Sequence, residues 1–276
     1  MPAGRFAPSP TGPLHMGSLV TALASFLHIK QRAGQWYLRI DDIDPPRVDP
    51  NATRDIFAAL DAHGLKPDEV QYQSRHHARY ENARQELEDR LYFCTCTRKQ
   101  LSAYPVYPGF CREKQHVDGA LRVKLDHDVR FHDQICGIST FRVGMDFADP
   151  IIRRRDGYWS YHFATAIDDS MDFSDVTRGQ DLLQSAASQI AILELLGRPI
   201  PAYAHVPLVC FADGTKLSKQ SKAPPIGSDT PVANMTQAYN LMQLMPPRAG
   251  SVDELLGWGM EQFHLHQLPA SLAPYV

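Results

Sequence analysis

The chain has 276 residues, of which 43% are hydrophobic and 21% charged, with a formal net charge of -3. It is long enough to bury a large core in one big domain or two ordinary ones, and its balance of charge gives no bulk signature of a nucleic-acid binder. No run of about eighteen apolar residues exists, and "MPAGRFAPSP" has neither a basic start nor an apolar stretch, so neither a membrane span nor a signal peptide is predicted and a cytoplasmic location is expected.

In chain order, a short strand leads into a loop rich in Pro, Ser and Gly. An apolar-periodic segment follows, with Leu19, Leu23, Phe26 and Leu27 at helical spacing, then a stop at Gly34 and a second strand, "WYLRI". This strand-loop-helix-strand unit predicts the opening of a nucleotide-binding parallel sheet. "NATRDIFAALDAHG" predicts a helix with Asn51 as N-cap and Gly64 as terminator, and "ARYENARQELEDRLYF" a third helix. A β-rich piece ("GALRVKLD", "VRFHDQICG") precedes "DPIIRRRDGYWSYHFATAIDD", read as two strand-like runs flanking an Asp-Gly turn. "GQDLLQSAASQIAILELLG" predicts a helix ending at Gly197. "SKAPPIGSDTP" reads as a linker, and the last residues carry weak helical patterning, best in "SVDELLGWGMEQF".

Five cysteines occur, and Cys94, Cys96 and Cys111 crowd into one stretch, "CTCTRKQLSAYPVYPGFCR". In a reducing compartment such a cluster points to zinc rather than to cystines. Zinc takes four ligands in a tetrahedron, and residues i and i+2 of a flat strand face opposite ways, so the chain must turn between Cys94 and Cys96. The fourth ligand has two local candidates: Tyr107, which a Pro-Gly turn brings towards Cys111, and His116. Cys136 and Cys210 sit in apolar surroundings and are expected to be buried core thiols.

Two further segments carry phosphate chemistry. In "PSPTGPLHMGSL" a turn delivers His15 and Gly17 to a helix start, where backbone N–H groups and the helix dipole favour anions. In "GTKLSKQSK", Lys216 and Lys219 lie three apart in a Ser-containing loop and suit a developing pyrophosphate. Arg153, Arg154 and Arg155 form the densest basic run and are candidates for RNA phosphates, with Arg98 and Lys222 as weaker ones.

In this order and separation, His15-Met16-Gly17-Ser18 and Lys216-Leu217-Ser218-Lys219-Gln220 resemble the two signature sequences of the class I aminoacyl-tRNA synthetases. "RFAPSPTGPLHMGSL", "LRIDDIDPPR", "RRDGYWSYHFATAIDD" and "VTRGQDLL" resemble the blocks of the glutamyl branch, roughly over residues 4 to 222. Ser18 stands in for a second His or small residue, Asp41 for a glutamate, and Asp172 where a glycine is usual. The resemblance implies an α/β fold: a Rossmann-type catalytic domain in two halves (1–92 and 149–222), split by a small zinc-binding, tRNA-contacting insertion (93–148) and followed by a short helical segment (223–276). It implies a glutamate site at Arg5, Phe6, Ala7, Pro8, Ser9, Asp41, Tyr161 and Arg178. It further implies an ATP site at His15, Gly17, Lys216, Ser218 and Lys219, with His15 and Lys219 acting on the phosphates beside Mg2+. One structural zinc is implied at Cys94, Cys96, Cys111 and the phenolate of Tyr107.

A full-length glutamyl enzyme continues into a large helical anticodon-reading domain, for which residues 223–276 leave no room. The chain is therefore similar to a shorter paralogue of that branch. The paralogue activates L-glutamate without tRNA and transfers it to the queuosine base at the wobble position of tRNA(Asp), gripping the anticodon stem-loop. A monomer is expected. The alternatives are a truncated enzyme charging the terminal ribose, or a catalytically silent tRNA-binding paralogue.

Overall fold

The computed structural model describes residues 1–211, 213–217, 224–269 and 272. Ten strands and eight α-helices follow one another among them. They are β1 (Ala3–Phe6), α1 (Met16–Lys30), β2 (Gln35–Ile40), α2 (Ala52–Ala62), β3 (Glu69–Tyr72), α3 (His77–Glu86), β4 (Leu91–Cys94), α4 (Arg98–Leu101) and β5 (Ala120–Val123). Then come β6 (Val129–Asp133), β7 (Gly137–Phe141), β8 (Ile151–Arg153), α5 (Tyr161–Asp172), β9 (Asp175–Gly179), α6 (Leu183–Leu195), β10 (Ala202–Val206), α7 (Pro231–Leu241) and α8 (Val252–Gln262). No helix among the described residues is long and apolar enough to cross a membrane.

The central sheet is parallel, in the order β10-β9-β1-β2-β3. Its inner strands β9, β1 and β2 are buried along most of their length, as a sheet covered on both faces requires, whereas the edge strand β3 is half-buried to exposed. One face carries α1, whose Leu19, Leu23 and Leu27 share a core with α7 and α8 through Met235, Tyr239 and Leu255. The other carries α5 and α6, through Phe163, Ile167 and Ile190. Gly4 permits the closeness of α1 to β1, because a Cβ there would lie 2.6 Å from Ile29 Cγ1.

The chain winds outwards from β1 in both directions, so the strand order reverses between β1 and β9. Ligands of open α/β sheets bind in the crevice at the carboxyl ends of such a pair. Here β1 and β9 are in register only at Gly4 and Asp175, and beyond them the ends bearing Arg5 and Arg178 border an open cavity.

Between β3 and β9 the chain builds two smaller antiparallel sheets, β4-β5-β8 and β6-β7. The first of these takes β4, which straddles residue 93, and β8, which lies after residue 148.

Several local expectations are corrected. The third helix stops at Glu86, and "LYF" belongs to β4, where Tyr92 and Cys94 are buried while Leu91 and Phe93 are half-buried, the period of a strand. The run after the Asp-Gly turn is helix α5, not a second strand, because Ser160 caps it by accepting from Phe163 N–H at 3.3 Å. Asn51 precedes α2 but makes no side-chain cap bond. The linker expected to end in "DTP" instead donates Pro231 to the first turn of α7, a position that tolerates its missing N–H. Cys136 and Cys210 are half-buried rather than core thiols.

Candidate active site and metal centre

Four charged side chains form the floor of the site. Asp169 on α5 accepts from Arg5 through Nε at 2.9 Å and Nη2 at 2.8 Å, and from Arg39 Nη1 at 2.6 Å. Arg39 also donates through Nε to Asp41 Oδ1 at 2.7 Å. All four residues are buried. Two guanidinium groups against two carboxylates leave no net charge, the condition under which burial of ions is tolerable. Burial opposes ionisation of Asp169, but Arg5 and Arg39 hold its pKa below the usual value. Burial pushes Asp41 the other way, up to about 6, against the pull of Arg39.

Arg178, at the end of β9, stands beside this floor. Its Nε donates to His205 Nε2 at 3.0 Å and its Nη2 to the Leu182 carbonyl at 3.3 Å, while its buried Nη1 has no partner among the described residues. A buried guanidinium N–H without an acceptor is a donor awaiting an anion.

Two cavities meet over these groups. The smaller, about 430 Å³, is lined by Arg5, Phe6, Pro8, Arg178 and the start of α1. The larger, about 870 Å³, reaches from Asp41 past Arg98 to Tyr107 and Arg122. Ala7, Ser9 and Tyr161 line both. His15 is the N-cap of α1, its Nδ1 accepting from Ser18 N–H at 3.3 Å, which puts the ring proton on Nε2. Gly17 and Lys216 line the smaller cavity too, and Lys216 pairs with Asp181 at 2.6 Å. Ser218, Lys219 and Lys222 lie outside the described residues.

The three clustered thiols come together behind the far end of the larger cavity. The Sγ atoms of Cys94, Cys96 and Cys111 all lie within 4.8 Å of one another. Cys96 and Cys111 are 3.6 Å apart, and the Tyr107 hydroxyl is 3.5 Å from Cys94 Sγ and 2.9 Å from the Cys111 N–H. The ligand atoms of a tetrahedral zinc site are spaced on the order of 3.5 Å, close to the two spacings of 3.5 and 3.6 Å here, so three thiols and a phenol make a donor set that suits the ion. His116 instead places Nε2 3.5 Å from the Thr95 hydroxyl, outside the thiol group. Burial and the thiols of Cys111 and Cys94 push Cys96 up to about 12, whereas the Thr95 N–H and the Cys96 thiol draw Cys111 down to about 6 against its burial. Gly119 lets the next strand close over this cluster, since at its φ of +142° a Cβ would sit 2.6 Å from the Cys94 carbonyl.

The basic run is partly occupied. Arg153 lies over the Trp159 ring at 5.2 Å, Arg154 pairs with Asp44 and Asp156, and only Arg155 extends loosely, 3.8 Å from Asp118. Asp172 pairs with Arg79 at 2.6 Å, away from both cavities.

Sequence reasoning missed Arg39, Asp169, His205 and Asp133. Asp168 and Asp169 did carry a signal, a pair of acids inside an apolar helix, which calls for buried partners. His205 carried none, as one polar residue in a strand.

Comparisons with known proteins agree with this geometry. A family model described as the catalytic domain of class I tRNA synthetases (E and Q) matches residues 3–105 and 111–228. A relative from Vibrio parahaemolyticus is 41% identical over 98% of this chain and 95% of its own length, and one from Chromobacterium violaceum is 40% identical over 97% and 95%. Both are named glutamyl-Q tRNA(Asp) synthetase. The glutamate-tRNA synthetase of Elizabethkingia anophelis superposes with a TM-score of 0.84 at 25% identity, covering 100% of this chain and 68% of that one. A glutamate tRNA ligase from Elizabethkingia meningosepticum, solved in complex with its amino acid, gives 0.82 at 26% identity, covering 100% and 67%.

Proposed function

The chain belongs to the class I tRNA synthetases of the glutamate and glutamine branch, and on that premise we propose that it activates L-glutamate with ATP, without needing tRNA, and transfers it to the queuosine base at the wobble position of tRNA(Asp). The observation that carries this is the pair of adjoining cavities. The smaller joins an arginine, whose Nη1 has no partner among the described residues, to a helix N-terminus, and it shares Tyr161 with a larger one of about 870 Å³ on the acceptor side. The relatives matched over 95% of their own length are named for a Q form of tRNA(Asp), which supports the choice of acceptor.

In this mechanism the Arg178 guanidinium takes the side-chain carboxylate of glutamate, and Asp41 meets its α-ammonium group. The α-carboxylate, left uncompensated, attacks the α-phosphorus of ATP, and the bond to the β-phosphate oxygen breaks. His15 donates from Nε2 to a phosphate oxygen, while Lys216 and Lys219 offset the charge of departing pyrophosphate. Mg2+ screens the phosphates when bound. No covalent nucleophile is required of the protein, whose part is positioning and electrostatics. A hydroxyl of the queuosine diol then attacks the acyl carbon and AMP leaves. Arg98, which lines the larger cavity, and the exposed Arg155 would meet RNA phosphates.

Cys94, Cys96, Tyr107 and Cys111 would hold one zinc ion as a structural cross-link, with no ligand position left open. Residues 93–148 then act as an insertion shaped by that ion, between two halves of the catalytic domain. Purified protein is expected to contain about one zinc per chain, and Cys96→Ser to lose it and to melt several degrees lower. Elemental analysis and thermal melts check this, and full zinc occupancy in the variant would refute the site.

The pKa of Asp41 gives the pH dependence its sign. The carboxylate must be ionised to meet the ammonium group, so kcat/KM for glutamate is expected to rise with pH through about 6 and then level off. A profile measured by ATP–pyrophosphate exchange tests this. If Asp41→Asn keeps the same inflection, another group is responsible.

The function itself is tested with labelled glutamate, ATP and tRNA from cells with and without queuosine. Only the first tRNA should be labelled, in its anticodon fragment. Equal labelling of both would point to the terminal ribose instead, and absence of glutamate-dependent exchange to a silent paralogue.

A further inference from the structure

We propose that Asp133 and His205 are positioning residues for Arg178. They hold its guanidinium in a fixed plane at the wall of the smaller cavity, and they do so by fixing the ring proton of His205 on Nδ1. The inference rests on the reading of Arg178 as the partner of a glutamate carboxylate.

The proton assignment follows from the inventory of donors. Arginine keeps its Nε–H at every accessible pH, so at 3.0 Å Arg178 Nε donates and His205 Nε2 accepts. The ring proton must then be on Nδ1, which lies 2.6 Å from Asp133 Oδ2. Asp133 is itself fixed, because its Oδ1 accepts from the backbone N–H of Ile135 at 3.0 Å, Cys136 at 2.8 Å and His205 at 3.2 Å. Both side chains of the pair are fully buried.

Electrostatics run the same way. Burial lowers the His205 pKa and Arg178 lowers it further, despite Asp133. The Asp133 carboxyl, although buried, is held to about 2 by His205 and the backbone donors. The triad is an ionised carboxylate, a neutral imidazole and a guanidinium. Of the guanidinium's groups, Nε and Nη2 are engaged, and Nη1 is buried without a partner among the described residues, in a side chain that lines the smaller cavity.

The supporting carboxylate comes from an unexpected place. Asp133 ends β6, in the excursion between the two halves of the central sheet, and the following Gln134 N–H donates to the Tyr203 carbonyl on β10 at 2.9 Å. The β6-β7 hairpin thus braces the back of the glutamate pocket, a role independent of RNA or metal.

Asp133→Asn tests the idea with an isosteric change. Three backbone N–H groups converge on Oδ1 and would orient the new amide with its oxygen there, so its NH2 faces His205 Nδ1. The ring proton is then driven to Nε2, against the N–H of Arg178. The expected result is a rise of about tenfold or more in the glutamate KM, with the ATP KM and kcat changed less than about threefold. His205→Ala, which deletes the acceptor and leaves Asp133 its backbone donors, should give the same glutamate-selective defect.

Nitrogen-15 NMR of the histidines reads the tautomer directly. The wild type should show His205 protonated on Nδ1 and bare on Nε2, and Asp133→Asn the reverse. A wild-type spectrum with Nε2 protonated overturns the proposal even if neither variant folds. So does an unchanged glutamate KM in a folded variant of an active enzyme. A wild type without glutamate-dependent exchange would overturn the glutamate reading and this inference together, which separates the two failures.

Discussion

Arg178→Lys is expected to lower kcat/KM for glutamate about 100-fold or more in ATP–pyrophosphate exchange, with the ATP KM nearly unchanged. The planar guanidinium engages Nε with His205 and Nη2 with the Leu182 carbonyl, and keeps a third nitrogen, the buried Nη1, without a partner among the described residues. An ammonium group on a flexible stem cannot reproduce that fork. It would leave His205 Nε2 and the substrate carboxylate competing for one charge, where the native pair has separate donors. Charge-assisted bonds contribute about 1.5–3 kcal/mol each, and about 1.4 kcal/mol is a factor of ten. Losing one substrate bond and the alignment of the group that makes it therefore gives about two orders of magnitude. Glutamate saturation curves for the two proteins decide the matter, and a loss smaller than about tenfold would remove Arg178 from the substrate.

Asp169→Asn should have its largest effect on stability, lowering it by about 3–5 kcal/mol, as expected when one member of a buried ionic network is removed. For a chain of this size that is a fall in Tm on the order of 10 °C. The asparagine oxygen can still accept one bond, but Arg5 and Arg39 lose their shared countercharge where water cannot replace it. The pH dependence has a definite sign. The folded-state pKa of Asp169 is depressed, so its contribution is present above the unfolded pKa of about 4 and is lost as pH falls through the lower folded value. The gap between wild type and variant in thermal melts should be full near neutrality and narrow in acid. A gap that does not change with pH would mean that Asp169 contributes by shape rather than charge.

The two predictions turn on residues of different legibility. Arg178 stands in "VTRGQDLL", where resemblance to a family block marked it. Asp169 stands in a quoted block too, yet its role depends on Arg5 and Arg39, which are 164 and 130 positions away. Arg5 shows the same limit. Expected to hold the substrate directly, it commits Nε and Nη2 to Asp169 and places Nη1 3.5 Å from the Thr177 carbonyl, so its role towards glutamate passes through that last, weakly engaged nitrogen or through its field. In the fold, the misread segments failed for local reasons. "LYF" extends a helical pattern until β5 pairs with it, and the run after Asp156-Gly157 reads as a strand until the Ser160 cap turns it into α5.

The sequence by itself determined the parallel sheet opening on a strand-helix-strand unit, the helix-start loop with His15 and Gly17, and the thiol cluster with its turn. Each is written in a short window, where apolar period, cap residues and ligand spacing act over a few positions. Only the tertiary structure decided that Asp169 neutralises two arginines, that Tyr107 rather than His116 adjoins the thiols, and that a hairpin carboxylate stands behind His205 and Arg178. The reason is physical. Periodicity tells a residue which face it occupies, but the strength of a charge pair depends on burial and on distances between groups remote in the chain, and these exist only once the sheet and its helices have closed.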